Sequence, residues 1–157
     1  MSTLRVDGLQ GLTAGTDRYV VQIVNQTTET AVNASGADVT ATGLSLSITP
    51  SSVNNKILVM GSVNGVMTNA VSTGIRVSVH RGSGSGDTKI SNAQEYAAFD
   101  TASTDNQVNV PFCVLDSPST TSAQTYSVFF ARTTGSGTAR VQSNGSQSNL
   151  TLVEVAQ

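Results

Sequence analysis

Residues 44 to 60 read LSLSITPSSVNNKILVM, and the first six alternate strictly. Leu44, Leu46 and Ile48 fall on one side of an extended chain; Ser45, Ser47 and Thr49 fall on the other. A period of two specifies a strand with one face buried. Pro50 cannot donate to a ladder, so it ends the strand and opens a turn. The run KILVM from Lys56 to Met60 does not alternate. It predicts a strand covered on both faces, and in so small a chain a neighbouring subunit is expected to supply one cover.

The same punctuation continues along the chain. Clusters such as NASG, RGSGSGD, DSPSTTS and SNGSQS separate short apolar segments. The segments predicted as strands are 19–28, 42–49, 56–64, 74–81, 88–96, 107–116, 123–132, 138–143 and 149–155. Short strands at this spacing indicate an all-β sandwich or barrel. No pair is joined by a clean two-residue hairpin turn, and several connections are long. A jelly-roll or β-sandwich of about eight strands is therefore expected over residues 18–157, in preference to a meander. The best helical candidate, SNAQEYAA at 91–98, reaches one or two turns.

Residues 1–17 form a separate piece. Leu4, Val6, Leu9 and Leu12 are apolar, but Gly8, Gly11 and Gly15 interrupt any helix. An extended N-terminal arm is expected, and its apolar teeth suit docking on another surface. Leu4, Arg5, Val6, Leu9 and Leu12 are the candidate docking residues.

Composition narrows the function. Charged residues are 11% of the 157, less than half the usual ~25%. Net charge is −2, with lysine only at 56 and 89, so no basic stripe can track a nucleic-acid backbone. No apolar run approaches the ~18 residues that a membrane helix needs. The opening lacks the apolar core of a signal peptide, and the single Cys113 allows no internal disulfide, so synthesis in a cytosol is expected.

A search for chemistry returns little. The loop RGSGSGDTK departs from the phosphate-binding pattern at Ile90, and its flanks read as strands, so a hairpin loop is expected. His80 is the only histidine; on a strand it shares a face with Arg76 and Ser78, with Val77 and Val79 turned inward. Ser78 and His80 would diverge along that strand, and a catalytic pair would also need an orienting acid and an oxyanion hole. The face of Arg76, Ser78 and His80 is instead a candidate subunit contact. Cys113 reads as a half-buried structural thiol. Pro111 predicts that its strand is an edge or carries a bulge. Asp100 and Asp105 flank one loop and form the best pair for a cation. No catalytic residue, cofactor site or metal site is assigned, and the chain is read as not an enzyme.

The stretch TGLSLSITPSSVNNKILVM resembles a motif of the form TGLSxSITPSSxxxKILV, found in structural proteins of tailed phages, often marine or cyanobacterial. The opening MSTLRVDGLQG is similar to the STLxVDxxxxxxG start of fibre-like phage proteins, and SNLTLVEVAQ is similar to their closing xxITLxEI. The resemblance implies a jelly-roll head like trimeric tumour-necrosis-factor-type heads, no enzymatic activity and no cofactor. It implies a virion part made in the host bacterial cytoplasm. The expected role is a homotrimeric capsid decoration (cement) protein, docked on the major capsid protein and stabilising the head. The lack of any repeat or heptad that could form a shaft favours this over a receptor-binding tail-fibre or spike tip. A host surface glycan is a further expected partner on the fibre-tip reading. No nucleic acid or membrane partner is expected.

Overall fold

The computed structural model describes residues 18–36, 39–93 and 107–157. They form ten strands and one short 3-10 turn: β1 (Val20–Thr28), β2 (Val32–Ala34), β3 (Thr40–Ile48), β4 (Lys56–Thr68), β5 (Ile75–Arg81), β6 (Thr88–Ala93), β7 (Val108–Asp116), β8 (Gln124–Arg132), β9 (Ala139–Val141) and β10 (Ser148–Val155), with the turn at Ser143–Gly145. Residues 1–17, expected to form a docking arm, and the Asp100/Asp105 pair lie outside the described residues.

All pairing is antiparallel. One sheet runs β1-β10-β4-β9-β2, with β7 also on β4; the other runs β3-β8-β5-β6. Setting aside the three-residue strands β2 and β9 leaves eight. Their partners are first with last (β1–β10), second with seventh (β3–β8), third with sixth (β4–β7) and fourth with fifth (β5–β6). This is a long hairpin rolled into two facing sheets, the jelly roll. The fold expected from the strand rhythm is therefore the fold observed.

The core lies between the sheets. Ile57, Val59, Val63, Leu150 and Leu152 meet Leu44, Ile75, Val77, Tyr126, Val128 and Phe130, each exposed by 1% or less. β3 keeps the expected alternation: Leu44 and Ile48 are buried, Leu46 is half-buried, and Ser45 and Ser47 are outside. Its start departs from a regular ladder. Gly43 adopts φ +89°, and the register with β8 shifts between Ala41 and Ser45. The Thr42 hydroxyl takes over the lost pairing, donating to the Val128 carbonyl at 2.8 Å and accepting from the Leu44 N–H at 3.2 Å.

Several boundaries differ from the sequence reading. β2 overlaps the NASG cluster, which reads as a turn. β4 continues four residues past Asn64, because Gly65 at φ +59° bulges the strand without ending it. Residues 91–93 belong to β6, not to a helix. The RGSGSGDTK loop does join two paired strands, β5 and β6, and Asp87 caps it by accepting the Gly84 N–H at 2.7 Å. Pro111 sits on β7, whose sheet partner among the described residues is β4, the edge position that suits a proline within a strand.

A single transverse row ties one end of the sandwich together. Gln22, Glu154, Ile57 and Asp116 are register neighbours on β1, β10, β4 and β7, on the inner face. Asp116 accepts from Tyr126 Oη at 2.7 Å and pairs with Arg81 at 3.1 Å, both from the opposite sheet. Burial, followed by that bond to Asp116, pushes the Tyr126 phenol far up, so it stays a donor. Glu154 is fully buried. It accepts from Ser51 N (2.7 Å), Ser51 Oγ (2.8 Å), Asn55 Nδ2 (2.6 Å) and Gln22 Nε2 (2.6 Å). The TPSSVNN turn is thus a cradle for a carboxylate on the last strand.

Candidate assembly surface

The two outer faces of the sandwich differ. On the β3-β8-β5-β6 sheet, Arg76, Ser78 and His80 stand opposite Ala131, Phe129 and Ser127. The predicted grouping on one face holds, and Val77 and Val79 turn inward at 1% exposure. The expected exposure does not hold. Ser78 and His80 are each 1% exposed within a single chain, and Phe129 and Ser127 are buried with them. Of the three, Arg76 alone offers half-buried surface. Hydroxyls satisfy one another here: Ser45 with Ser127 and Ser47 with Thr125, each at 2.8 Å.

Ser78 Oγ lies 3.0 Å from His80 Nε2. The imidazole packs on Phe129 at 4.8 Å between centroids. Its Nδ1 is buried and makes no well-formed hydrogen bond among the described residues, with the Asp87 backbone nearby. A nucleophilic serine needs a histidine whose other nitrogen is held by an acid, and this ring lacks that hold. Burial lowers the His80 pKa, Lys89 and Arg76 lower it further, and Asp87 opposes them only in part. The neutral ring is a packing element of the sheet.

The other sheet carries its apolar residues outside. Ile23, Val153, Leu58 and Leu115 are register neighbours on β1, β10, β4 and β7, so one apolar row crosses four strands. The next row is Asn25, Thr151, Met60 and Cys113. Exposure is 61% at Ile23, 52% at Leu115 and 40% at Met60. Cys113 is exposed, not half-buried. The strand KILVM therefore has one fully covered face and one partly covered face: Ile57 and Val59 are at 0%, while Leu58 and Met60 face outward, Leu58 half-buried beside the buried Val153 and Met60 exposed. Sheet faces carrying aligned large aliphatics are characteristic of protein contacts. The missing alternation is legible in KILVM, but its neighbours Ile23 and Leu115 are not, because cross-strand register is not written in any one segment.

Among the described residues no three His, Cys, Asp or Glu side chains converge on a point. No family model matches the chain, and no curated protein sequence matches it. Solved structures of viral capsid proteins are similar in outline. One is of T=1 particles derived from infectious bursal virus, at TM-score 0.49 and 10% identity, covering 99% of this chain and 42% of that one. Another is a VP2 subviral particle of infectious bursal disease virus, at TM-score 0.45 and 12% identity, covering 85% and 38%. The chain spans about two fifths of the length of these proteins. At such scores the likeness says nothing of function, and the jelly-roll assignment stands on strand order.

Proposed function

We propose that the chain is a non-enzymatic structural protein of a virus particle. On this reading it is a homotrimeric decoration protein of a tailed-phage head, bound to the major capsid protein. The observation that carries the proposal is the apolar row Ile23–Val153–Leu58–Leu115 on the jelly roll, buried at Val153 and half-buried at Leu58 but exposed at both ends, Ile23 and Leu115. A row of this kind gains free energy only when another protein covers it, at roughly 25 cal/mol per Å² of apolar area. The phage-like motifs supply the second support, and the structure gives them a shared physical purpose. The SITPSS turn and the closing LVEV strand meet at Glu154, so the two motifs preserve one internal contact.

In this proposal the exposed row is the face that neighbouring copies cover, with Arg76 available at the rim of the other sheet. The arm, with Leu4, Arg5, Val6, Leu9 and Leu12, grips the capsid. The test is to mix the purified chain with capsids that lack it. Binding at full occupancy and a raised capsid unfolding temperature are expected. A chain lacking residues 1–17 is expected to remain a folded oligomer and to leave capsids bare. Full decoration by the truncated chain would refute the arm's role; absence of capsid binding by the whole chain would refute decoration. A receptor-binding fibre or spike tip is the competing reading. It is favoured by the fibre-like opening motif and predicts binding to host cells in place of capsids.

A further inference from the structure

A polar cleft opens on the corner where β4, having bulged at Gly65, leaves β7 and β10 to pair with β9. Its cavity is about 210 Å³ and is lined by Asn33, Met67, Thr68, Asn69, Thr138 and Arg140. The sheet register explains why these residues meet. Asn33 on β2 pairs with Arg140 on β9, and Arg140 pairs with Met67 on β4, so the three form one cross-strand row. Thr138 and Asn69 form the next row, joined by the Asn69 N–H to the Thr138 carbonyl. Ala34, Ala139 and Val141 point the other way and are buried. The corner is thus anchored from beneath.

The hydrogen bonds within the cleft consume acceptors and leave donors. Asn33 Oδ1 accepts from Arg140 Nε at 2.7 Å. Asn69 Oδ1 accepts from the Thr138 N–H at 2.6 Å. Each bond fixes an amide so that its Nδ2 is the end left over. Holding Nε also fixes the guanidinium plane and leaves both Nη groups without an acceptor among the described residues. No acidic residue lines the cavity. A fixed guanidinium fork flanked by two amide donors matches the two oxygens of a carboxylate.

We infer that this cleft binds the carboxylate of an acidic sugar, a single uronic-acid-type ring at the end or edge of a polysaccharide. The volume is below that of drug-sized pockets and suits one ring. Met67 supplies an apolar patch for the ring's C–H face, and the Thr138 hydroxyl and the amides suit its hydroxyls. A peptide carboxyl terminus fits less well. β9 is paired on both sides, by β2 and β4, so Arg140 has no free strand edge beside it for a peptide backbone to join. The site does not depend on whether the chain sits on the head or the tail.

The test is amide NMR of the isotope-labelled full chain, titrated to about 10 mM with methyl glucuronide, methyl glucoside or sodium acetate. Saturable shifts are expected for the glucuronide at residues 32–34, 67–69 and 137–141. The glucoside is expected to cause none, and acetate to bind about tenfold more weakly. Arg140→Lys keeps the charge and loses the fork. It is expected to weaken glucuronide binding about tenfold with unchanged thermal unfolding, since the side chain is exposed. Glucoside or acetate binding as well as the glucuronide would overturn the inference. So would shifts elsewhere on the chain, no saturable shift, or full affinity in Arg140→Lys.

Discussion

Glu154 shows how much one side chain can hold. Burial alone would raise its pKa, but the bonds from Asn55, Gln22 and Ser51 outweigh that and hold it down to about 2, against an ordinary 4.5. The folded chain thus prefers the carboxylate more strongly than the unfolded chain does. At ~1.4 kcal/mol per pH unit, this contributes about 3 kcal/mol above pH 4.5, lost progressively as pH falls from 4.5 towards 2. Urea unfolding across that range should show the loss. Glu154→Gln keeps the shape but turns an NH2 towards donors. It should cost about 3 kcal/mol at neutral pH and flatten the acid slope. A variant with wild-type stability would show that the cradle is weak. His80 acts in a different window. Its lowered pKa means that the unfolded chain takes up the proton first, so stability falls as pH drops through 6.5. In His80→Gln that part of the slope should vanish, while the part below pH 4.5 remains.

The elements show which parts of the fold were legible in the sequence. β3 could be read from six residues because its two faces meet different surroundings, core and solvent. The β5–β6 hairpin and the edge position of Pro111 were legible for similar local reasons. β2 was not, because three residues carry no period and its partner β9 lies far along the chain. The end of β4 was hidden by Asn64-Gly65, which reads as a turn. In the structure Asn64 keeps the strand running: its N–H donates to Ser148 Oγ, and its carbonyl accepts from the Gln142 N–H. Gly65 absorbs the positive φ of the bulge. A Cβ there would lie 2.7 Å from Ser146 Cβ and 2.8 Å from the Ser143 N. Gly65→Ala should therefore cost about 2 kcal/mol in urea unfolding and loosen the β4–β9 corner. The burial of Ser78 and His80 was illegible for another reason. A polar pair on a strand reads as a solvent face, yet here each polar atom but one finds a partner or a ring. The Arg140 cleft was equally hidden, since its residues come from three strands that the sequence did not place together.

At the scale of the molecule, the outer face of one sheet is polar and the outer face of the other carries exposed aliphatics. The polar face carries the hydroxyl pairs and the His80–Phe129 contact. The apolar face presents Ile23, Met60 and Leu115, and assembly follows if neighbouring copies cover it. Leu115→Asp puts a charge at the β7 edge of that face, at an exposed position outside the core. Light scattering at micromolar concentration should give a trimer mass for the native chain and a monomer mass for Leu115→Asp, both folded by circular dichroism. A monomeric native chain would remove the oligomer from the account. If the chain is a repeated structural part of a virus head, as proposed, counting it in purified particles tests this most directly. Quantitative mass spectrometry against the major capsid protein should find copies on the order of hundreds, in multiples of three, as closed capsid symmetry requires of a trimer. About a dozen copies or fewer would contradict decoration and place the chain on the tail.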